Sequence, residues 1–439
     1  AAIEGSIPPP LVDSPKCPRC SLVGICLPDE TERLQKRRAS QRWIQKTLFD
    51  VAEYGISSEP PEEVSEPVRR LVPARDDRRP LYLDTQGLYV GKSGRVLKVK
   101  EGGRVVQEVR VADINLVNLM GNIQISTQAV QMLCSEDIPI AYFSQGGWFY
   151  GITEGMGLRN VMLRREQFRL AEVAWFCRRF ASALVAGKIR NCRTMLQRNH
   201  KEPPRKVLSL LKCFEEDARR ASDLETLRGI EGTAARVYFE HFAGMIKVGD
   251  RDESIVGVAS DLPSGDAGDV ENGSDQGGNG FMHTFDFRGR NRRPPKDPTN
   301  ALLSLAYSML VKDLTIVCRA VGLDPHLGLY HQMRPGRPSL ALDLMEPFRP
   351  VIADSAVLSA INTRMVTEKH FVRTGTAVSL TPKGRKQFYR AYEQRMDTLV
   401  THPVFGYRVN YRRIIEIQVR LLGRFLMAEI PSYSVFTTR

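Results

Sequence analysis

Three side chains in the C-terminal half could bind a divalent cation together. Asp343 and Glu346 are three residues apart in GRPSLALDLMEPFRP, so on a helix over residues 339–346 both carboxylates project from one face. His331, in the preceding GLYHQM, could add an imidazole nitrogen. Oxygen donors with one imidazole favour Mg²⁺ or Mn²⁺ over a structural zinc. A histidine beside two acids also fits a surface salt bridge, so both interpretations stay open.

A fourth acidic candidate, Glu231, lies between two glycines in RGIEGTAARVYF. Gly229 and Gly232 carry no side chain, so another backbone or a phosphate could come close to the carboxylate. The rest of the segment has a helical pattern, and a solvated helix glutamate beside a loose turn is the alternative. This motif alone favours the alternative.

Many cations accompany these acids in the sequence. Five of them lie within nine residues of FRGRNRRPPKDPTN, where Thr299 or Asn300 is expected to cap the following helix. Arginine forks suit phosphates, and metal ligands beside several cations are typical of a place where a phosphodiester is attacked. A charged surface turn is the alternative. The DNA-binding candidates are Arg236, Arg288, Arg290, Arg292, Arg293, Lys296, Arg334 and Arg337.

Three of the eight cysteines cluster near the N-terminus, as Cys17-Pro-Arg-Cys20 followed by Cys26. Two thiolates two residues apart, with a third nearby, can surround one metal ion or iron–sulfur cluster. A structural zinc or a 4Fe–4S cluster normally takes four thiolates, so we expect the fourth ligand upstream of residue 1. A chance turn is the alternative.

The overall charge favours a polyanionic partner. Lysine and arginine total 63 against 50 aspartates and glutamates, a net charge of +13. Residues 250–280 hold eight acids and one base, a local charge of −7 that leaves +20 for the rest. Nucleic acid is the commonest polyanion in the cytosol, although a solubilising surface would also fit. Neither a secretory leader nor a run of about 18 apolar residues occurs, so we expect no membrane partner and a cytoplasmic protein.

The elements that must position these residues predict an α+β fold. Leu97 and Val99 alternate with lysines before a Gly-Gly turn, which predicts a β-hairpin, and Ser126 can cap a short helix. Arginine-rich stretches with helical spacing of apolar residues follow residue 159. The predicted parts are a cysteine-cluster fragment (1–56), a linker (57–80), a small β-rich domain (81–158) and a larger, mostly α-helical catalytic domain (159–439) with a mobile acidic insertion (250–280).

Residues 80–439 resemble the CRISPR-associated adaptation integrase (Cas-one) family. Three blocks carry the resemblance: GIEGTAARVYFEHF, RRPPKDPTNALLSLAY and GLYHQMRPGRPSLALDLMEPFRP. The resemblance implies an enzyme that inserts short DNA fragments into a CRISPR array by metal-dependent transesterification. It implies that Glu231, His331 and Glu346 bind Mg²⁺ or Mn²⁺, with Glu346 where many relatives have aspartate, and that Asp343 is an acidic neighbour in the catalytic set. It further implies a prokaryotic protein that forms homodimers, with paired dimers bridged by the small Cas-two protein.

The front segment resembles the C-terminal end of a RecB-like CRISPR-associated nuclease (Cas-four) family. The spacing of Cys17, Cys20 and Cys26 matches the last cysteines of that family and implies a 4Fe–4S cluster. The natural protein would then be a fusion, but the nuclease's catalytic acids and lysine are not identifiable here. Two other functions stay open: a metal-dependent endonuclease acting on branched DNA, and a non-catalytic DNA-binding scaffold in which the acids make surface ion pairs.

Overall fold

The computed structural model describes residues 11–37, 68–74, 77–156, 160–248, 285–291 and 294–438. Several predictions fall outside these ranges. They are the acidic insertion, most of the linker, and the two DNA-binding candidates Arg292 and Arg293.

The β-rich part contains two four-stranded sheets. Its strands are β1 (Arg79–Leu83), β2 (Tyr89–Ser93), β3 (Val96–Glu101), β4 (Arg104–Arg110), β5 (Ile114–Met120), β6 (Gln124–Ile125), β7 (Ile140–Phe143) and β8 (Phe149–Thr153). The first sheet has the order β1-β5-β7-β8, with β8 the antiparallel member. The second has the order β4-β3-β2-β6 and contains the predicted hairpin of β3 and β4. Gly102 and Gly103 turn that hairpin with φ of +54° and +84°, values that glycine tolerates best.

Helices make up most of the chain after residue 160. The helices are α1 (Val23–Cys26), α2 (residues 28–37), α3 (Thr127–Ser135), α4 (Val161–Ala171), α5 (Ala174–Asn199), α6 (Arg205–Arg220), α7 (Leu224–Glu240), α8 (Pro298–Val321), α9 (Ser339–Met345), α10 (Ser355–Asn362), α11 (Pro382–Met396) and α12 (Tyr411–Leu426). A π-helical stretch covers Arg349–Asp354, and two small hairpins, Phe371–Thr374 with Ala377–Leu380 and Leu399–Thr401 with Arg408–Asn410, complete the part. The predicted order, a β-rich part before a helical part, is confirmed.

Helix starts follow local side-chain chemistry. The side chain of Ser126 accepts a hydrogen bond from the Ala129 N–H, as predicted for the cap of α3. At α8 the predicted cap by Thr299 or Asn300 is wrong, because Asp297 accepts from the Asn300 N–H and Pro298 takes the first helical position.

Helix α8 is the central helix of the helical part. It is the one described helix long and apolar enough to cross a membrane, but 67% of its most apolar window is buried inside the protein. Its buried face includes Leu302, Leu310 and Leu314. Such burial is expected of the core helix of a folded domain.

The helical region predicted after residue 159 begins with two helices rather than one. Helix α4 ends at Ala171 and α5 begins at Ala174, so the apolar residues lie on two helices. Phe176 is buried, whereas Phe168 and Trp175 are 51% and 59% exposed. Helical spacing therefore identified the elements but not the side chains that enter the core.

The cysteine-bearing segment, residues 11–37, packs directly on the helical part. Leu27 and Leu34 are buried, and the buried Glu30 accepts a hydrogen bond of 2.9 Å from the Tyr407 hydroxyl. Arg424 on α12 donates to the backbone carbonyls of Ile25 and Cys26. Buried apolar and polar contacts thus hold this segment against the end of α12.

Candidate active site

Three separate stretches of chain bring the predicted acids and histidine together. Glu231 lies on the middle turn of α7, His331 in the loop before α9, and Glu346 at the C-terminal end of α9. The Lys188 ammonium, from α5, lies between the two carboxylates, 2.5 Å from Glu231 Oε1 and 2.7 Å from Glu346 Oε2. His331 Nε2 is 3.8 Å from Glu346 Oε1. Two carboxylates therefore flank one ammonium, and the imidazole lies beside the second carboxylate.

Opposite charges close to one another keep Glu346 and Lys188 ionised in this site. Burial would raise the pKa of Glu346, but Arg349, Lys188 and His331 lower it to about 2. Burial would likewise lower the pKa of Lys188, but the charges of Glu346 and Glu231 raise it above its ordinary value. The Arg349 guanidinium is 3.0 Å from Glu346 Oε1. Attraction between close opposite charges thus outweighs desolvation here.

Asp343 lies behind the imidazole rather than beside the ammonium. Its carboxylate is 2.7 Å from His331 Nδ1 and accepts backbone N–H groups of Leu329, Tyr330 and His331. The bond at Nδ1 leaves Nε2 directed at Glu346, which is how a carboxylate fixes a metal-binding histidine. The predicted helix over residues 339–346 ends one residue earlier, at Met345, so Asp343 lies on it and Glu346 caps its end, and the two acids lie at opposite nitrogens of one ring.

Glu231 is also held in place by its neighbours. The Tyr330 hydroxyl donates to Glu231 Oε2 at 2.5 Å, and Arg228 lies 5.8 Å from the centre of the Tyr330 ring. A Cβ on either flanking glycine would meet nothing within 4 Å, so the predicted open space beside the carboxylate exists. Glu231 is therefore reachable by a large ligand on its glycine side.

The donor set fits a divalent cation once the ammonium leaves. Among the described residues, no three His, Cys, Asp or Glu side chains already form a metal-holding group. The Lys188 ammonium instead takes the position between the two carboxylates. Glu346 Oε2 is buried without a regular hydrogen bond, so it depends on a cation for compensation. Two carboxylates and one imidazole suit Mg²⁺ or Mn²⁺.

Sequence reasoning missed Lys188 and Tyr330. Lys188 follows the buried run of Leu184–Gly187 and precedes the buried Ile189. A lone lysine on the apolar face of a helix needs a buried anion, which is the pattern that could have revealed it.

The basic candidates divide into exposed and engaged side chains. Arg290 donates to Asn300 Oδ1 at 2.7 Å and lies 5.4 Å from the Tyr307 ring centre, so it organises the start of α8. Arg236 pairs with Glu240 at the surface. The candidates Arg288, Lys296 and Arg334 are exposed, and Arg337 is half-buried.

A second buried cluster lies beyond Arg349, whose guanidinium is 4.9 Å from the Tyr307 ring centre. The hydroxyls of Tyr307 and Tyr238 donate to the two carboxylate oxygens of Asp354 at 2.6 and 3.0 Å. Burial raises the pKa of Asp354 to about 6, although these hydrogen bonds oppose the change. Through the Tyr307 ring, this cluster supports the Arg349 guanidinium that contacts Glu346.

The three N-terminal cysteines carry free thiols in this structure. Cys17 is buried, Cys20 is exposed and Cys26 is half-buried. Burial raises the pKa of Cys26, with smaller contributions from the neighbouring Cys17 and Cys20. The described residues around them supply three thiols, one fewer than a 4Fe–4S cluster takes.

Comparison with known proteins agrees with the fold and the blocks around the site. The family model for CRISPR associated protein Cas1 matches residues 81–255 and 278–394. A CRISPR-associated exonuclease Cas4/endonuclease Cas1 fusion of Geobacter sulfurreducens is 42% identical over all of this chain and 69% of its own length. A CRISPR-associated endonuclease Cas1 of Thermus thermophilus is 34% identical over 82% of this chain and 97% of its own length.

Two solved structures share the fold at low sequence identity. A casposase bound to integration product has a TM-score of 0.64 at 21% identity, over 81% of this chain and 93% of its own. A Cas6-RT-Cas1–Cas2 complex has a TM-score of 0.63 at 18% identity, over 93% of this chain and 44% of its own.

Proposed function

This chain belongs to the Cas1 family, and from that premise we propose that it is a metal-dependent DNA integrase of CRISPR adaptation. It inserts short DNA fragments into a CRISPR array by transesterification. The observation that carries the proposal is the convergence of Glu231 and Glu346 on the Lys188 ammonium, with His331 beside Glu346. A non-catalytic scaffold with surface ion pairs does not explain carboxylates that are buried around an ammonium.

In the proposed reaction a 3′-hydroxyl of the incoming fragment attacks a phosphodiester of the array. Glu231, Glu346 and His331 Nε2 would hold Mg²⁺ or Mn²⁺, which when bound lowers the pKa of the hydroxyl and offsets charge at phosphorus. Asp343 keeps the His331 ring oriented, and Tyr330 keeps Glu231 in place. The exposed Arg288, Lys296 and Arg334 would contact phosphates.

A structure-selective endonuclease is the second candidate function. The curated relatives are called endonucleases, and the same metal centre could open a branch as well as join an end. Comparing cleavage of branched DNA with joining of free ends separates the two functions.

The fusion predicted from the front segment is confirmed, since this chain aligns from end to end with a Cas4/Cas1 fusion and spans about two thirds of its length. In this proposal residues 1–56 belong to the nuclease portion, 57–80 to a linker, 81–158 to the β-rich domain and 159–439 to the catalytic domain. The cysteines would supply three ligands of a 4Fe–4S cluster. We propose no nuclease activity for residues 1–56.

We also propose DNA and Cas2 as partners of a homodimer in the prokaryotic cytoplasm. The shared fold with a Cas1–Cas2-containing complex and the net charge of +13 support this assembly.

Strand transfer into a supercoiled array plasmid tests the function. With Mn²⁺ and a short duplex, Glu231→Gln and His331→Ala should each lower the rate at least ~10³-fold, about 4 kcal/mol in activation free energy. Glu225→Gln, an exposed change on the same helix, is the matched control and should keep full activity. Wild-type rates for both site variants would exclude this centre.

A further inference from the structure

Lys188 holds the position that the proposed metal would take. Its ammonium contacts a carboxylate oxygen of Glu231 and one of Glu346, and these acids come from different helices, α7 and α9. The side chain itself is anchored on a third helix, α5, next to the buried Gly187. This one ammonium therefore links α5 to α7 and to the end of α9.

We propose that Lys188 is an internal counter-cation that holds Glu231 and Glu346 together in the metal-free protein and competes with the divalent cation for them. This inference rests on the proposed metal centre. Lys188 is thus a positioning residue for the empty site, and its ammonium must withdraw before the cation can be bound by both carboxylates.

The charges in the centre explain why the ammonium can be replaced. Glu231, Glu346 and Asp343 face the cations Lys188 and Arg349, which leaves one net negative charge when His331 is neutral. Exchanging a monovalent ammonium for a divalent cation would cancel that remaining charge. Without any cation, the two carboxylates would repel each other in a buried place.

The Lys188 side chain is flexible enough to give up its position to a divalent cation. Its four-carbon stem is flexible, and the ammonium is held by the two carboxylates. Arg349, in contrast, lies against the Tyr307 ring and contacts the other oxygen of Glu346. Arg349 can therefore stay while Lys188 moves.

The test compares metal-free stability and Mn²⁺ affinity in Lys188→Met. Removing the ammonium should lower the melting temperature in a chelator by several degrees and tighten the Mn²⁺ dissociation constant at least tenfold by calorimetry. Lys188→Arg keeps the positive charge and should not bind Mn²⁺ more tightly than wild type. Lys312→Met, a buried lysine away from the site, is the matched control and should leave the Mn²⁺ affinity unchanged.

Each result decides the matter. Unchanged or weaker Mn²⁺ binding by Lys188→Met would overturn the inference, since the lysine would then be a plain structural group or an aid to the metal. A variant that folds only with Mn²⁺ supports it, and one that stays unfolded at saturating Mn²⁺ overturns it.

Failure of the metal centre itself looks different. Wild type that binds no Mn²⁺, with binding equally absent in Glu231→Gln, would remove both the centre and the inference. Glu231-dependent binding by wild type with an unchanged Lys188→Met would remove the inference alone.

Discussion

Two lysines of this protein, Lys188 largely buried and Lys312 completely buried, have opposite electrostatic surroundings. Lys188 lies between two carboxylates, with its pKa raised by them despite burial. Lys312, on α8, is completely buried beside one carboxylate, Asp313, at 2.5 Å. Burial outweighs the attraction of Asp313 and lowers the pKa of Lys312. The comparison teaches that one carboxylate does not offset the desolvation of an ammonium here, whereas two do.

The ion pairs of the two lysines also differ in their location and role. The Asp313 carboxylate is shared with the Tyr392 hydroxyl, which donates to its other oxygen at 2.7 Å, and this pair lies in the core of the helical part. The Lys188 pairs adjoin the open space beside the α7 glycines. A buried ion pair inside the core is structural, whereas one that borders a ligand space can be exchanged.

The largest effect expected is from Asp313→Asn. This change leaves the Lys312 ammonium buried without an anion, and breaking one side of a buried pair costs about 3–5 kcal/mol of unfolding free energy. Urea denaturation at pH 7 measures it. A loss below about 1 kcal/mol would show that Lys312 is already neutral, and the comparison with Lys188 would be broken.

A buried carboxylate beside two phenols extends the comparison to acids. The pKa of Asp354 is raised to about 6, so the folded protein keeps a proton that the unfolded chain releases near pH 4. The unfolding free energy of wild type should therefore fall by about 2 kcal/mol, relative to Asp354→Asn, between pH 4 and pH 7. Denaturation of both proteins at the two pH values checks the difference. A pH-independent difference would mean that Asp354 is ionised throughout.

The smallest effect is expected from replacing both members of the core pair. Because the double variant Lys312→Met/Asp313→Asn leaves no buried charge there, its unfolding free energy should return to within about 1 kcal/mol of wild type. The same urea experiment on wild type, Lys312→Met, Asp313→Asn and the double variant completes a double-mutant cycle. If the double variant is as unstable as Asp313→Asn, the lost stability comes from the hydrogen bond between Tyr392 and Asp313 and not from an unpaired Lys312 ammonium.

Local patterns were enough to predict much of the β-rich part. Alternation of Leu97 and Val99 with lysines fixed the hairpin, and Ser126 fixed the start of α3, because both depend on neighbours in sequence. The cap of α8 was misassigned to Thr299 or Asn300, although Asp-Pro before an apolar run is itself a pattern of helix starts. The exposure of Phe168 and Trp175 could not be predicted from the sequence, because it depends on which helices cover α4 and α5.

The candidate site was predictable in its acids and histidine but not in its electrostatics. The blocks around Glu231, His331 and Glu346 are conspicuous in sequence, and the fold brings them together. The apolar neighbours of Lys188 on α5 mark it as a lysine that needs an anion, but Glu231 is 43 residues away, so no local spacing identifies the partner. The position of Asp343 at His331 Nδ1 likewise depends on how the loop before α9 folds back.

Docking of the cysteine-bearing segment on α12 has a practical consequence for dissection of the fusion. A protein shortened to residues 68–439 would uncover the apolar surface that receives Leu27 and Leu34 and would leave the Tyr407 hydroxyl without its acceptor, Glu30. Such a fragment would be prone to aggregate. A truncation that separates the nuclease portion from the integrase should therefore keep residues 11–37 with the integrase.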